Sequence, residues 1–218
     1  MVLSPPENYW NVRLEQTRKA LVHNGFAASI HADVNDASAH VIANIIPEAG
    51  LKSVGFGGSA TVKGSGIIPK LKQLAGFTVL DSTDPALSRE EVLALRRESL
   101  LADMYLTSSN AVTVDGKLVN LDKMGNRVAS IHFGPRKVLL MVGRNKICAD
   151  EANARSRVKE IATPINAMRL GGKTPCSITT RCTDCNTQDR ICGVWTITEK
   201  CFPQGRIHVL LINQDLGY

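Results

Sequence analysis

The sequence predicts a three-layer α/β/α fold built on a mostly parallel central sheet, with a Cys-rich loop near the C-terminus. Two observations carry this. Short runs of Val, Ile and Leu alternate with amphipathic segments along most of the chain, as strands alternate with covering helices. Aromatic content is low at 5% while hydrophobic content reaches 44%, which favours buried parallel strands over a β-sandwich. At 218 residues the chain can bury a full core as one α/β domain over 1–218.

The elements follow in order. Glu7 to Asn24 places Trp10, Leu14, Ala20 and Leu21 among charges and stops at Gly25, which reads as an amphipathic helix. Phe26 to His31 suits a short strand. Asn35 or Asp36 caps a second helix through Ile46, ended by Pro47 and Gly50. Ser53 to Phe56 is a strand leading into a glycine turn, Ile67 to Leu74 a short helix and Phe77 to Leu80 the next strand. Ser88 with Glu91 forms a capping box for a helix to about Leu101. Met104 to Thr107 and Ala111 to Val114 are strand pieces around a polar turn. Asp115-Gly116 signals a hairpin into Leu118 to Leu121. Arg127 to Phe133 is a short helix, Lys137 to Val142 a buried strand, and Asp150 opens a helix to about Ile161 that Pro164 extends to Leu170. Pro175 to Arg190 reads as a polar loop, and Gly193 to Glu199 and Arg206 to Asn213 are closing strands.

Composition narrows the function. The start of the chain has no basic, apolar leader of secretory type, and no run reaches the roughly 18 apolar residues of a membrane helix. The expected location is therefore the cytoplasm, with no membrane insertion and few lasting disulfides. Basic and acidic residues balance over 1–135, at 13 each, whereas 136–206 carries 13 basic and 6 acidic. These basic residues are scattered and lack an aromatic platform, so a nucleic-acid partner is not expected.

Two motifs suggest a ligand cleft. Gly55-x-Gly57-Gly58-Ser59-x-Thr61 follows a predicted strand, where glycines admit an anion to backbone N–H groups and hydroxyls add donors. Its spacing is neither a dinucleotide fingerprint nor a Walker A loop, and a plain tight turn is the alternative. The second runs from Thr107 through Asn110 and Asn120 to Arg127, polar residues at the ends of apolar strands, where open α/β sheets bind ligands. Here Asp115 is read as a turn residue rather than an acid or base, and no catalytic histidine is indicated.

Four cysteines, Cys176-x5-Cys182-x2-Cys185-x6-Cys192, fall within seventeen residues. Dense thiols in a reducing compartment point to a metal or cluster ahead of a redox pair or a structural disulfide. The spacing alone does not choose between zinc and iron–sulfur. Either centre leaves a charge of about −2 that Lys173, Arg181 and Arg190 could offset. Cys148 and Cys201 read as buried thiols.

Together these pieces resemble the lactate-utilisation (LUD) domain family. The likeness rests on Val54 to Ser59, Thr107 to Arg127, Phe133 to Val138, Val142 to Ile147, Thr174-Pro175-Cys176 and the Cys182 to Cys192 loop, which span most of the chain. The family looks like part of the superfamily that contains coenzyme A transferases, ribose-phosphate isomerases and glucosamine-phosphate deaminases. The Asn110 to Asn120 run is similar to the ligand edge of the methylthioribose-phosphate isomerase branch. No motif here matches the catalytic glutamate of the transferases.

What the resemblance implies is an iron–sulfur protein, 4Fe–4S favoured, acting with iron–sulfur oxidoreductase subunits in the oxidation of lactate or a similar hydroxy acid. Cys176, Cys182, Cys185 and Cys192 would ligate the cluster. Gly57, Gly58, Ser59 and Thr61 would hold an anionic small molecule, with Asn110, Asn120 and Arg127 completing the cleft. The alternative is an isomerase- or transferase-like enzyme binding a sugar phosphate or acyl-coenzyme A, with zinc bracing the cysteine loop. A homo-oligomer is compatible with either.

Overall fold

The computed structural model describes residues 4–218, and within them the central sheet has six strands, all parallel. These are β1 (Ala27–His31), β2 (Ser53–Phe56), β3 (Thr78–Asp81), β4 (Met104–Thr107), β7 (Lys137–Gly143) and β10 (Ile207–Ile212), in the spatial order β1-β10-β7-β4-β2-β3. Their side chains alternate between two apolar layers, as strand geometry requires. Met104, Leu106, Leu139, Met141, Leu210 and Ile212 pack in one cluster with Val41, Val62, Ile67 and Leu71. Tyr105, Val138, Leu140, Val142, Val209 and Leu211 pack in the other with Leu14, Leu21 and Ile131. Burial on both faces is why the inner strands β7 and β10 read as continuous apolar runs, while the edge strands β1 and β3 stay partly exposed.

Helices α2 (Val34–His40), α3 (Ile46–Glu48), α4 (Ala60–Gly64) and α5 (Ile67–Lys72) supply the first layer. Helix α1 (Pro5–His23) and α7 (Asn126–His132) supply the second. Between β3 and β4 runs α6 (Arg89–Glu98), opened by the Ser88–Glu91 capping box and packed on β2 and β3. The cap of α2 is Asp33, whose carboxylate accepts from Asn35 and Asp36 N–H, and not Asn35 or Asp36 themselves. Nor does Pro47 end that helix. A π-helical segment, Val41–Ile45, widens the coil just before it, and the chain stays helical to Glu48. The same device recurs at Val158–Ala162, ahead of Pro164, between α8 (Glu151–Arg157) and α9 (Thr163–Arg169). A proline lacks an N–H and crowds the carbonyl four residues back, and a wider turn relieves both.

A second, four-stranded sheet was not separable in the sequence. It runs β8 (Ile147–Cys148), β5 (Ala111–Thr113), β6 (Leu118–Asp122), β9 (Val194–Thr198), with β5–β8 parallel and the other pairs antiparallel. Val112, Leu118 and Ile147 turn toward the α1 layer, while Ala111, Val119, Leu121 and Cys148 turn toward Ala154 and Val158. The β5–β6 turn is the expected Asp115-Gly116. Asn24 at the end of α1 donates to both carbonyls of this turn, at 2.9 and 3.0 Å. Part of the predicted cysteine loop is helical instead, as α10 (Pro175–Thr179).

Candidate functional site

Three neighbouring strands, β7, β4 and β2, end on the same edge of the sheet, and the segments that follow them enclose a cleft of about 440 Å³. From β2 come Gly58 and Ser59, from β4 Thr107 to Asn110, and from the turn after β7 Lys146. The chain departs in opposite directions on either side of this point, toward β3 after β2 and toward β7 after β4. Crevices outside the carboxyl ends of strands at such a reversal are where open α/β sheets bind ligands. Five basic side chains, Arg96, Lys123, Arg127, Lys146 and Arg169, line it against two acidic ones, Asp122 and Asp189.

The glycine loop is shaped by what lies beneath. A β-carbon on Gly57 would sit 2.5 Å from the Tyr105 hydroxyl oxygen, so only glycine lets the loop settle on that ring. A β-carbon on Gly58 would lie 3.9 Å from Arg169 Nη2, which places a guanidinium above the loop. Ser59 caps α4, accepting from Val62 N–H at 3.3 Å. Thr61 is buried, and its hydroxyl oxygen lies 2.8 Å from Lys146 Nζ.

The Asn110, Asn120 and Arg127 group forms a lattice in the cleft wall. Arg127 Nη1 donates to Ser108 O and to Asn120 Oδ1, at 2.9 and 2.6 Å, and Nη2 to Asn110 Oδ1 at 2.7 Å. Its guanidinium also pairs with Asp122, whose other oxygen accepts from Val128 N–H and so fixes the start of α7. Asn120 is fully buried, with Oδ1 saturated and Nδ2 unpartnered. These side chains set the shape of the cleft. Of the five basic side chains lining the cleft, Arg127 is paired with a carboxylate, and Arg96, Lys123, Lys146 and Arg169 meet none among the described residues.

Lys146 is the residue that sequence reasoning missed. It is 3% exposed, and Nζ touches two hydroxyls, Thr61 and Ser108, with no carboxylate in reach. Burial, reinforced by Arg157 and Arg127, brings its pKa down to about 7. Arg157 is held there by donating to Asn145 O and Asn110 O. The one available signal was position, a lysine three residues beyond a strand end. Thr107 Oγ1, also fully buried on the cleft wall, has no partner in the protein. An enclosed hydroxyl left unpaired is costly unless something else satisfies it.

No cysteine lines the cleft, although Asp189 and Ile191 of the cysteine loop do. All six are free thiols. Cys176 packs with Ala167 and Ile191, Cys192 with Trp195 and Ile197 beneath β6 and β9, and Cys182 and Cys185 are half-exposed. Arg190 staples the loop, donating to the carbonyls of Cys185 and Cys192 and to Asp184 Oδ1. Hydrogen bonds from Thr187 hold the Cys185 thiol below its ordinary pKa, whereas burial raises that of Cys192. Cys182, Cys185, Lys159 and Arg190 are all close enough to act electrostatically on Cys192. The donor type and the flanking cations suit a thiolate-bound centre, with Lys159 in a role the sequence did not indicate. The positions do not: among the described residues no three His, Cys, Asp or Glu side chains form a group that could hold a metal ion.

Fold and cleft thus define a parallel-sheet α/β protein with a basic, hydroxyl-rich crevice at its strand ends. Residues 14–212 match the LUD domain family, and the chain belongs to it. Among solved structures it is similar to a DUF162 family protein from Deinococcus radiodurans, with a TM-score of 0.51 and 16% identity, over 97% of this chain and 99% of the other. That likeness is one of fold. No curated protein matches the chain. No described helix is long and apolar enough to cross a membrane.

Proposed function

We propose that this protein binds a small hydroxy acid, lactate or a close relative, in the cleft at the β2–β4 edge and serves as one subunit of a cytoplasmic system oxidising it. The observation that supports this most is the match between the lining and such a ligand. Unpaired cations suit a carboxylate, and the hydroxyls of Thr107, Ser108 and Ser59 suit a neighbouring hydroxyl or keto oxygen. Membership of a family tied to lactate utilisation agrees with it.

The test is thermal stabilisation of the purified protein by L-lactate and pyruvate, measured beside ribose 5-phosphate and coenzyme A. Stabilisation by the small acids, lost in Arg169→Ala, supports the reading. A shift given only by the phosphorylated compounds would replace it with the sugar-phosphate or acyl-coenzyme A alternative.

The electron-transfer part of the reading is a separate proposal. In it Cys176, Cys182, Cys185 and Cys192 take up an iron–sulfur cluster from a rearranged loop, and partner oxidoreductase subunits exchange electrons with it. Its support is that three of the four thiols, Cys182, Cys185 and Cys192, lie beside Lys159 or Arg190, whose charge would offset that of a thiolate-bound centre. Anaerobic purification followed by iron and zinc analysis decides it. Iron with broad visible absorption supports the cluster, zinc alone supports a bracing ion, and neither metal removes both.

A further inference from the structure

We propose that Lys146 is a carbonyl-reactive amine, condensing with the keto group of a 2-oxo acid held in the cleft to form an imine. The inference rests on the reading of the cleft as a carboxylate site and adds the class of ligand and the covalent step.

The geometry sets Lys146 apart from every other cation nearby. Arg127 is neutralised by Asp122 and spends its remaining donors on the cleft wall. Arg157 donates to main-chain carbonyls. Lys146 lies deeper than either, 3% exposed, and is met only by hydroxyls, Thr61 at 2.8 Å and Ser108 at 3.1 Å. A structural lysine buried to this degree ordinarily has a carboxylate partner, because an isolated ammonium is expensive to bury. Hydroxyls instead suit a neutral amine, donating to its lone pair or accepting from its N–H. The flanking guanidiniums of Arg127 and Arg157 discourage the charged form, and the amine titrates at about 7. That leaves a nucleophilic fraction at neutral pH, the condition a Schiff-base lysine needs. The amine also lines the same cleft as Arg96 and Arg169, which meet no carboxylate of the protein, Arg169 resting on Asn166 Oδ1 and Arg96 on Met124, and which would hold the acid's carboxylate while the keto carbon faces Nζ.

In the step itself the nitrogen lone pair adds to the carbonyl carbon as the C=O π pair moves to oxygen. Both amine protons then leave with that oxygen as water, and a C=N bond remains. The Ser108 and Thr61 hydroxyls stand where these protons must pass. No electrons are gained or lost, and water reverses the step. A 2-oxo acid is what oxidation of a 2-hydroxy acid yields, so the imine would retain the product of that class of reaction.

The experiment is reductive trapping of the full-length chain. Purified protein is mixed with pyruvate or glyoxylate, treated with borohydride and weighed by intact-mass spectrometry, with peptide mapping of the product. The expected result is one ligand less one oxygen added per chain, mapped to Lys146, with a yield that falls as the pH drops below about 7. Lys146→Met should abolish it, while Lys63→Met, an exposed lysine on α4, should not. Adducts scattered over other lysines, with none at Lys146, would overturn the proposal, and because mapping is done on the native chain this holds even if Lys146→Met folds poorly. Thermal stabilisation by pyruvate without trapping would overturn the imine and leave the carboxylate cleft standing. Neither stabilisation nor trapping would remove both.

Discussion

Arg127 Nη2 lies 2.7 Å from Asp122 Oδ1, and the pair joins the second sheet to the start of α7. Asp122 is the last residue of β6, and its second oxygen caps the following helix. Arg127 reaches back from that helix to Ser108, Asn110, Asn120 and Leu121. One ion pair therefore holds the cleft wall in place from both sides.

Arg127→Ala should cost about 3–5 kcal/mol, because it leaves the buried Asp122 carboxylate without its cation and takes one donor each from Asn110 Oδ1, Asn120 Oδ1 and the Ser108 carbonyl. Arg127→Lys should recover only part of this, since an ammonium cannot supply the planar fork. Urea unfolding of both variants measures the difference. Equal stability of wild type and Arg127→Ala would mean that the lattice contributes nothing.

Lys146 makes a prediction in pH. Its folded pKa, about 7, lies below the ordinary lysine value, so between about pH 7 and 10 the unfolded chain binds a proton that the folded chain does not. Stability carried by this group therefore rises with pH across that window, and the full penalty is felt below pH 7. Lys146→Met removes the penalty. The variant should gain on wild type most at pH 6, and its advantage should shrink by about 2 kcal/mol by pH 9. Thermal denaturation of both proteins at the two pH values checks this. A gap that does not change with pH would mean that Lys146 keeps its charge in the folded protein.

The strands and most helices were legible because their information is local. Two-sided burial writes Val138 to Val142 and Val209 to Ile212 as unbroken apolar runs, and Ser88 with Glu91 marks its helix by hydrogen bonds three residues apart. The second sheet was hidden because β8 is two residues long and pairs with β5 across more than thirty residues of chain. Asp33 was passed over for Asn35 and Asp36 because all three are good caps, and only the backbone decides which side-chain oxygen meets the free N–H groups. Lys146 was invisible as a site residue for a deeper reason. Its chemistry comes from burial between Arg127 and Arg157, residues brought together by the fold.

Gly116 is constrained twice. Its φ is +84°, and a β-carbon there would lie 2.7 Å from the backbone carbon of Ala20 at the end of α1. The hairpin thus docks by main chain, with Asn24 donating to it. Gly116→Ala should destabilise by more than the about 1 kcal/mol that left-handed backbone alone costs, since helix and hairpin must also separate. Gly50, also at positive φ but with open space around it, is the control, and its alanine variant should show the conformational cost alone. Equal losses in the two variants would mean that the contact with α1 carries no weight.

The last prediction concerns acid. Ser29 Oγ bridges the imidazoles of His31 and His208, each 2.9 Å away, and the His40 ring lies tilted against His31 and edge-on to His208, at centroid distances of 5.2 and 6.2 Å. Burial, together with Lys137, His40 and His31, brings the pKa of His208 down to about 4. His31 is also lowered by burial, with Asp36 opposing. A histidine held neutral in the folded state stabilises fully above its unfolded pKa, near 6.5, and loses that contribution as the pH falls toward 4. His208 should therefore cost about 2 kcal/mol of stability between pH 7 and 4.5. His208→Gln, which keeps a polar group beside Ser29 without a titrating ring, should lose less over the same range. Urea unfolding at the two pH values measures it, and the same acid loss in both proteins would place the sensitivity in other groups. Because Lys137 and His208 sit at the start of neighbouring strands β7 and β10, protonation adds charge beside an amine that burial already disfavours. Acid should thus loosen this end of the sheet before it reaches the cleft at the other.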